Sequence, residues 1–164
     1  MQHKTVCFTG HRDICEADIP WIRKALKRQV LRLYRMGYDT FYTGGALGFD
    51  TLAAVTVLQL KVLFPQITLI LALPCHNQTR GWAERNIAMY EIIKQKADKV
   101  VYISQDYFRG CMQKRNRYLV ENSDLCICYL LKKSGGTAYT VKYADSIGVE
   151  TINLAKSNFC SKNS

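Results

Sequence analysis

Apolar runs of strand length alternate with segments of helical periodicity along this sequence, and the apolar runs are nearly continuous rather than broken by polar residues. Strands of that kind are buried on both sides. The sequence therefore predicts an α/β fold: a single Rossmann-like domain with a mostly parallel, doubly wound sheet and helices on both faces. The size agrees, because 164 residues with 48% hydrophobic content bury a substantial core without disulfides or metals. The domain is expected over residues 1–154, with 155–164 a polar C-terminal tail.

The first strand is expected at 5–9. Helix 19–36 follows, because Ile22, Leu26, Val30 and Leu33 recur at helical spacing. Strand 40–42 gives way at a glycine turn to helix 49–63, which Pro65 punctuates. The apolar run 67–73 is the third strand, followed by helix 80–95, strand 99–103 and helix 112–122. The run 125–131 reads as a buried strand, a second glycine turn opens helix 138–146, and strand 151–154 closes the domain.

Lys and Arg exceed Asp and Glu by 23 to 13, for a net charge of +10. Much of the excess sits in Arg23, Lys24, Lys27, Arg28, Arg32 and Arg35, opposite the apolar stripe of the first helix. Two readings stand: a solvated helix face, or a surface that attracts nucleic-acid phosphates, although aromatic residues are not interleaved with these cations. Met1 to Lys4 run straight into a strand without a charged-then-apolar leader, and no apolar stretch reaches membrane-spanning length. A soluble, cytoplasmic protein without a membrane partner is expected. Cys7, Cys126 and Cys128 fall in predicted buried strands, where a reduced thiol acts as a small hydrophobe. Cys126 and Cys128 lack the second Cys/His pair of a zinc site, so no metal is expected.

Two glycine turns carry the functional reading. Thr43-Gly44-Gly45-Ala46-Leu47-Gly48-Phe49-Asp50 joins the second strand to its helix, and Ser134-Gly135-Gly136-Thr137 follows the fifth strand. Such turns aim backbone N–H groups and a helix N-terminus at one point, which suits a phosphate; tight connections also need glycine when nothing binds. Neither turn is the dinucleotide or Walker fingerprint. In a doubly wound sheet, ligands bind beyond the carboxyl ends of the strands, and Gly10-His11-Arg12 is expected there after the first strand. Arg12 suits bidentate phosphate binding, while His11 either donates a hydrogen bond or caps the turn. Asp50 either reaches ribose hydroxyls or simply favours its helix dipole. Trp82, read on the helix after the third strand, either stacks on a base or faces the core.

Gly44 to Asp50 resembles the glycine-rich loop of the SLOG superfamily, the nucleotide-binding Rossmann-like proteins that include the DprA and LOG families. The YpsA-like group is the nearest match. The similarity runs from Cys7-Phe8-Thr9-Gly10 through Gln78 and Trp82 to Gln113-Lys114-Arg115-Asn116-Arg117 and Ser123-Asp124, covering nearly the whole chain to Leu154. It implies a nucleotide or nucleotide-derived ligand; no cofactor beyond that is assigned. The ligand set it suggests is Gly10, His11, Arg12, Gly44, Gly45, Ala46, Gly48, Asp50, Gln78, Trp82, Arg115, Asn116, Ser134, Gly135, Gly136 and Thr137. A homo-oligomer, dimeric or higher, is also implied.

LOG enzymes cleave nucleoside monophosphates with an arginine in Met-x-x-Arg-Lys and a glutamate in Pro-Gly-Gly-x-Gly-Thr-x-Glu-Glu. Met112 and Arg115 match the first pattern, with Asn116 in place of its lysine. Aligning Gly135 and Gly136 puts Val141 and Lys142 where the glutamates belong, so no catalytic residue is assigned. Oxocarbenium-like chemistry needs a carboxylate near the sugar, and only Asp50 or Glu84 is a candidate substitute. The leading expectation is a ligand-binding sensor or sequestering module for an ADP-ribose-like molecule or nucleoside phosphate. The alternatives are a nucleotide N-glycosidase with a displaced carboxylate and a DprA-like single-stranded DNA binder.

Overall fold

The computed structural model describes residues 4–157. Six strands form one sheet: β1 (Lys4–Gly10), β2 (Tyr38–Thr43), β3 (Thr68–Leu73), β4 (Lys99–Tyr102), β5 (Leu125–Tyr129) and β6 (Glu150–Asn153). Their order is β4-β3-β2-β1-β5-β6, and every pairing is parallel. The helices are α1 (Ile19–Arg35), α2 (Phe49–Leu63), α3 (Glu84–Lys96), α4 (Cys111–Glu121), α5 (Gly136–Ser146) and the short α6 (Leu154–Ser157). The chain winds outward from β1 to β4, then crosses back to place β5 against the free side of β1. That reversal is the topological switch point at which a ligand crevice opens in this class of sheet.

Alternate residues of each strand face opposite sides. On one side Val6, Phe8, Leu71 and Ile127 pack against Ile22, Leu26, Val30 and Leu33 of α1 and the apolar side of α2. On the other, Cys7, Ala72, Cys126 and Cys128 meet Leu119 and Val120 of α4 and Ala144 of α5. The second face is built from small side chains, so two helices seat closely on it. Cys7 and Cys126 are register partners on neighbouring strands; the described cysteines are all free thiols, and Cys7, Cys75, Cys111, Cys126 and Cys128 are buried as compact apolar residues while Cys15 is exposed. Arg23, Lys24, Lys27, Arg28, Arg32 and Arg35 lie along the outer side of α1, as its periodicity predicts.

Several expected boundaries move. The third helix begins at Glu84 rather than 80, because two turns, Arg80 N–H to Asn77 (3.2 Å) and Trp82 N–H to Thr79 (3.0 Å), precede it. Trp82 therefore lies before the helix. β5 ends at Tyr129 instead of 131: Leu130 N–H is taken by the Asn153 side chain (3.1 Å) and Leu131 N–H by His11 (2.8 Å). The Gly135-Gly136 turn is itself the start of α5, two residues before the expected one. Ala155, expected in the polar tail, is buried with Leu154 at the edge of the main core, while 158–164 lie outside the described residues. Among the described residues no helix is long and apolar enough to cross a membrane, and no group of three or more His, Cys, Asp and Glu side chains is placed to hold a metal ion.

Candidate functional site

A cavity of about 290 Å³ opens at the switch point, beyond the carboxyl ends of β1 and β5. Thr9, Gly10, His11 and Arg12 form one wall and Ala46 and Asp50 a second. Met112, Arg115, Asn116 and Leu119 form a third, a stripe at helical spacing on α4, and Gly136 and Thr137 close the fourth.

The glycine loop between β2 and α2 is braced from within. Ala46 N–H donates to Asp50 Oδ2 (3.2 Å), the Thr51 hydroxyl donates to the Ala46 carbonyl (3.0 Å), and Phe49 N–H donates to the His11 carbonyl (3.1 Å). Gly48 has φ of 75°, and a Cβ there would overlap the His11 and Arg12 carbonyl groups, so only glycine lets the β1 loop lie this close. Gly44 answers a different need. A Cβ at that position would stand 2.5–2.9 Å from the Arg115 guanidinium, which packs against the loop.

Arg115 is buried on α4; Nη1 donates to the Gly44 carbonyl, and Nε donates to Asn116 Oδ1 at 2.8 Å. Burial lowers its pKa, and the Asp50 carboxylate opposes that shift. Asp50 is buried as well. Burial pushes its carboxyl up to about 6, against the pull of Arg115, the Ala46 N–H and Arg12. The cavity thus holds a carboxyl group that burial raises well above the ordinary carboxylate range, beside a buried arginine.

His11 joins the two sides of the switch point. Its Nε2 accepts Leu131 N–H at 2.8 Å, and its ring stands edge-on to Tyr129 with centroids 6.0 Å apart. Burial and Lys132 both lower its pKa, which favours the neutral ring that this acceptor role requires, with the proton on Nδ1. Arg12 is exposed at the mouth, its Nη2 3.9 Å from Met112 Sδ. At the opposite wall Gly136 and Thr137 form the first turn of α5, and their N–H groups have no acceptor among the described residues. A helix start of that kind attracts an anion.

Of the residues expected at the site, the fold brings Gly10, His11, Arg12, Ala46, Asp50, Arg115, Asn116, Gly136 and Thr137 onto the cavity wall. Gly44, Gly45 and Gly48 shape the loop behind it. Gln78 is buried, with its Nε2 3.5 Å from the Gly44 carbonyl, and Oε1 has no partner among the described residues. Trp82 is directed at Tyr90, edge to face at 5.6 Å, and packs on the core. Ser134 and Gly135 are exposed beyond the cavity. Phe8, Thr9, Met112 and Leu119 also line it, although the sequence does not mark them as ligands. The i, i+3, i+4, i+7 spacing of Met112, Arg115, Asn116 and Leu119 is the signal that points to the two on α4.

The profile of the YspA SLOG family matches residues 7–153. The chain belongs to this family. UPF0398 protein BH1768 of Halalkalibacterium halodurans is 35% identical over 129 residues, covering 77% of this chain and 68% of that one. A UPF0398 protein of Bacillus thuringiensis (strain Al Hakam) is 30% identical over 155 residues, covering 88% and 84%. Among solved structures, DNA processing protein A of Helicobacter pylori, described with a single-stranded DNA binding mode, superposes with a TM-score of 0.64 at 17% identity, over 98% of this chain and 73% of that one. DprA of Streptococcus pneumoniae gives 0.67 at 17% identity, over 91% and 49%. The SLOG-family chain thus shares their Rossmann-like fold, and it spans about half of the second neighbour.

Proposed function

We propose that this protein binds a nucleotide or nucleotide-derived small molecule, an ADP-ribose-like compound or a nucleoside phosphate, as a sensor or sequestering module. The carrying observation is the open α5 turn at Gly136 and Thr137, which shares one cavity with Arg12 and the buried Asp50. The α5 turn and Arg12 take the phosphate. Asp50 and Asn116 take sugar hydroxyls. Titration calorimetry with nucleoside monophosphates, NAD and ADP-ribose tests the reading, and absence of heat across the panel would sink it. A homo-oligomer belongs to the same reading, with exposed Val62, Leu63, Met89 and Ile92 as the contact face.

One observation favours an enzyme as the second reading. Asp50 is a carboxylate in the cavity with its pKa raised to about 6, whereas Glu84 is exposed and off the wall. A nucleotide N-glycosidase using Asp50 would release free base over many turnovers, and Asp50→Asn would abolish it. The sensor reading expects substoichiometric release, because Val141 packs among α4 and α5 residues and Lys142 lies at the position where LOG enzymes carry a glutamate. Single-stranded DNA, named for the Helicobacter pylori neighbour, is the remaining alternative and would show steep salt dependence.

A further inference from the structure

The side of α4 turned away from the cavity carries a second stripe at helical spacing, Lys114, Arg117, Tyr118 and Glu121. These residues form one wall of a groove of about 430 Å³, and β4 with the residue after it forms the other. β4 is an edge of the sheet: it pairs with β3 alone, so the alternate backbone N–H and C=O groups on its free side have no partner strand. Val100 and Tyr102 pack against the main core, whereas Val101 and Ile103, half-buried, line the groove. The groove is also unevenly charged. Glu121 is the one carboxylate among its lining residues, and it accepts the Tyr143 hydroxyl (2.5 Å). Arg117 gives one N–H to the Tyr139 hydroxyl (2.8 Å), and the Lys114 ammonium has no carboxylate partner among the described residues. Exposed Lys99 adds a further positive charge at the start of the strand. A second copy of this chain is a poor occupant, because edge-to-edge pairing brings like cations together. The same cations attract an acidic strand.

We propose that this groove takes an extended acidic peptide segment of a partner protein, which adds to β4 as a seventh strand. The peptide backbone bonds to the free edge, and the alternate side chains that turn toward α4 carry carboxylates to Lys114 and Arg117 over the apolar floor of Val101, Ile103 and Tyr118. Only a peptide uses the backbone groups of an open strand edge. The proposal is independent of the nucleotide reading, since groove and cavity lie on different sides of α4.

The experiment is fluorescence anisotropy of the full chain with a labelled Glu-Val-Glu-Val-Glu-Val peptide, its Lys-Val counterpart, and two copies of the glutamate peptide N-methylated at one or the other alternate set of amides. The glutamate peptide is expected to bind the wild type roughly 10-fold or more tightly than the lysine peptide, and to lose about as much on Lys114→Glu/Arg117→Glu. One methylated copy should lose binding and the other keep it, and amide hydrogen exchange at 99–103 should slow with the unmethylated peptide. Lys114→Glu alone, at an exposed position, carries the same comparison if the double variant melts early. Failure of the glutamate peptide to bind the wild type, or equal affinity for wild type and charge variants, overturns the proposal. Equal behaviour of the two methylated copies overturns it too, by reducing the contact to side-chain charge. So does a short oligothymidylate that binds more tightly than the peptide and is lost on the same charge variants, which makes the groove a nucleic-acid site.

Discussion

Asp50 and Arg115 set the chemistry of the cavity, and each makes a measurable prediction. Asp50 has a folded-state pKa of about 6 against an ordinary value of 3.8, so between these values the folded protein holds a proton that the unfolded chain releases. The resulting stabilisation is complete below pH 3.8 and is lost as pH rises through about 6; the shift corresponds to on the order of 3 kcal/mol. Urea denaturation of the ligand-free protein should show that loss across the same window, and Asp50→Asn should flatten it. The family resemblance puts Arg115 in the ligand set, and the fold makes it both part of the cavity wall and a buried brace of the glycine loop. Arg115→Lys keeps the charge but cannot reproduce both the Gly44 and Asn116 contacts. We expect a loss of about 1–3 kcal/mol in denaturation without any ligand, and an unchanged midpoint would remove the brace from the account.

At the scale of elements, the two glycine turns look alike in sequence and do different work. The Gly44 loop hydrogen-bonds to itself, whereas the α5 turn keeps its N–H groups free toward the cavity. A bulky residue at Gly45 is consequently a poor probe of binding: φ there is 67°, and a Cβ would lie 2.6 Å from the Leu73 side chain, so the fold itself would suffer. Gly136 has room, with Asn116 Nδ2 3.9 Å from the place an added Cβ would take. Gly136→Ala should stabilise the protein by up to ~1 kcal/mol while weakening nucleotide binding, two opposite changes readable by thermal melts and calorimetry. Helix periodicity locates α2 to the residue because Gly48 and Pro65 bound it. The start of α3 is not legible in the sequence, because 76–82 form successive turns whose hydrogen bonds depend on residues already in place. The same turns hold Trp82 ahead of the helix on which periodicity alone would put it.

At the scale of the molecule, alternation of strand and helix is enough for the fold class but not for the strand order, since no local pattern says that β5 returns to β1. The cavity inherits this limit. Residues on the β1 loop can be proposed as site residues, yet their meeting with Leu119 of α4 follows only from the crossover. The outer side of α2 and α3 leaves Val62 and Leu63 81% and 69% exposed, with Met89 and Ile92 beside a groove shared by both helices. Self-association through this face is expected, and sedimentation velocity should show Val62→Glu shifting the protein toward monomer without changing nucleotide affinity. An identical monomer for both proteins would refute it.

The bond from Leu131 N–H to His11 Nε2 joins residues 120 positions apart. During synthesis, the first strand must wait beside an open edge until the fifth emerges and closes against it. Completion of the cavity is therefore a late event for the nascent chain: its last wall, Gly136 and Thr137, is in place only after α5 has left the ribosome.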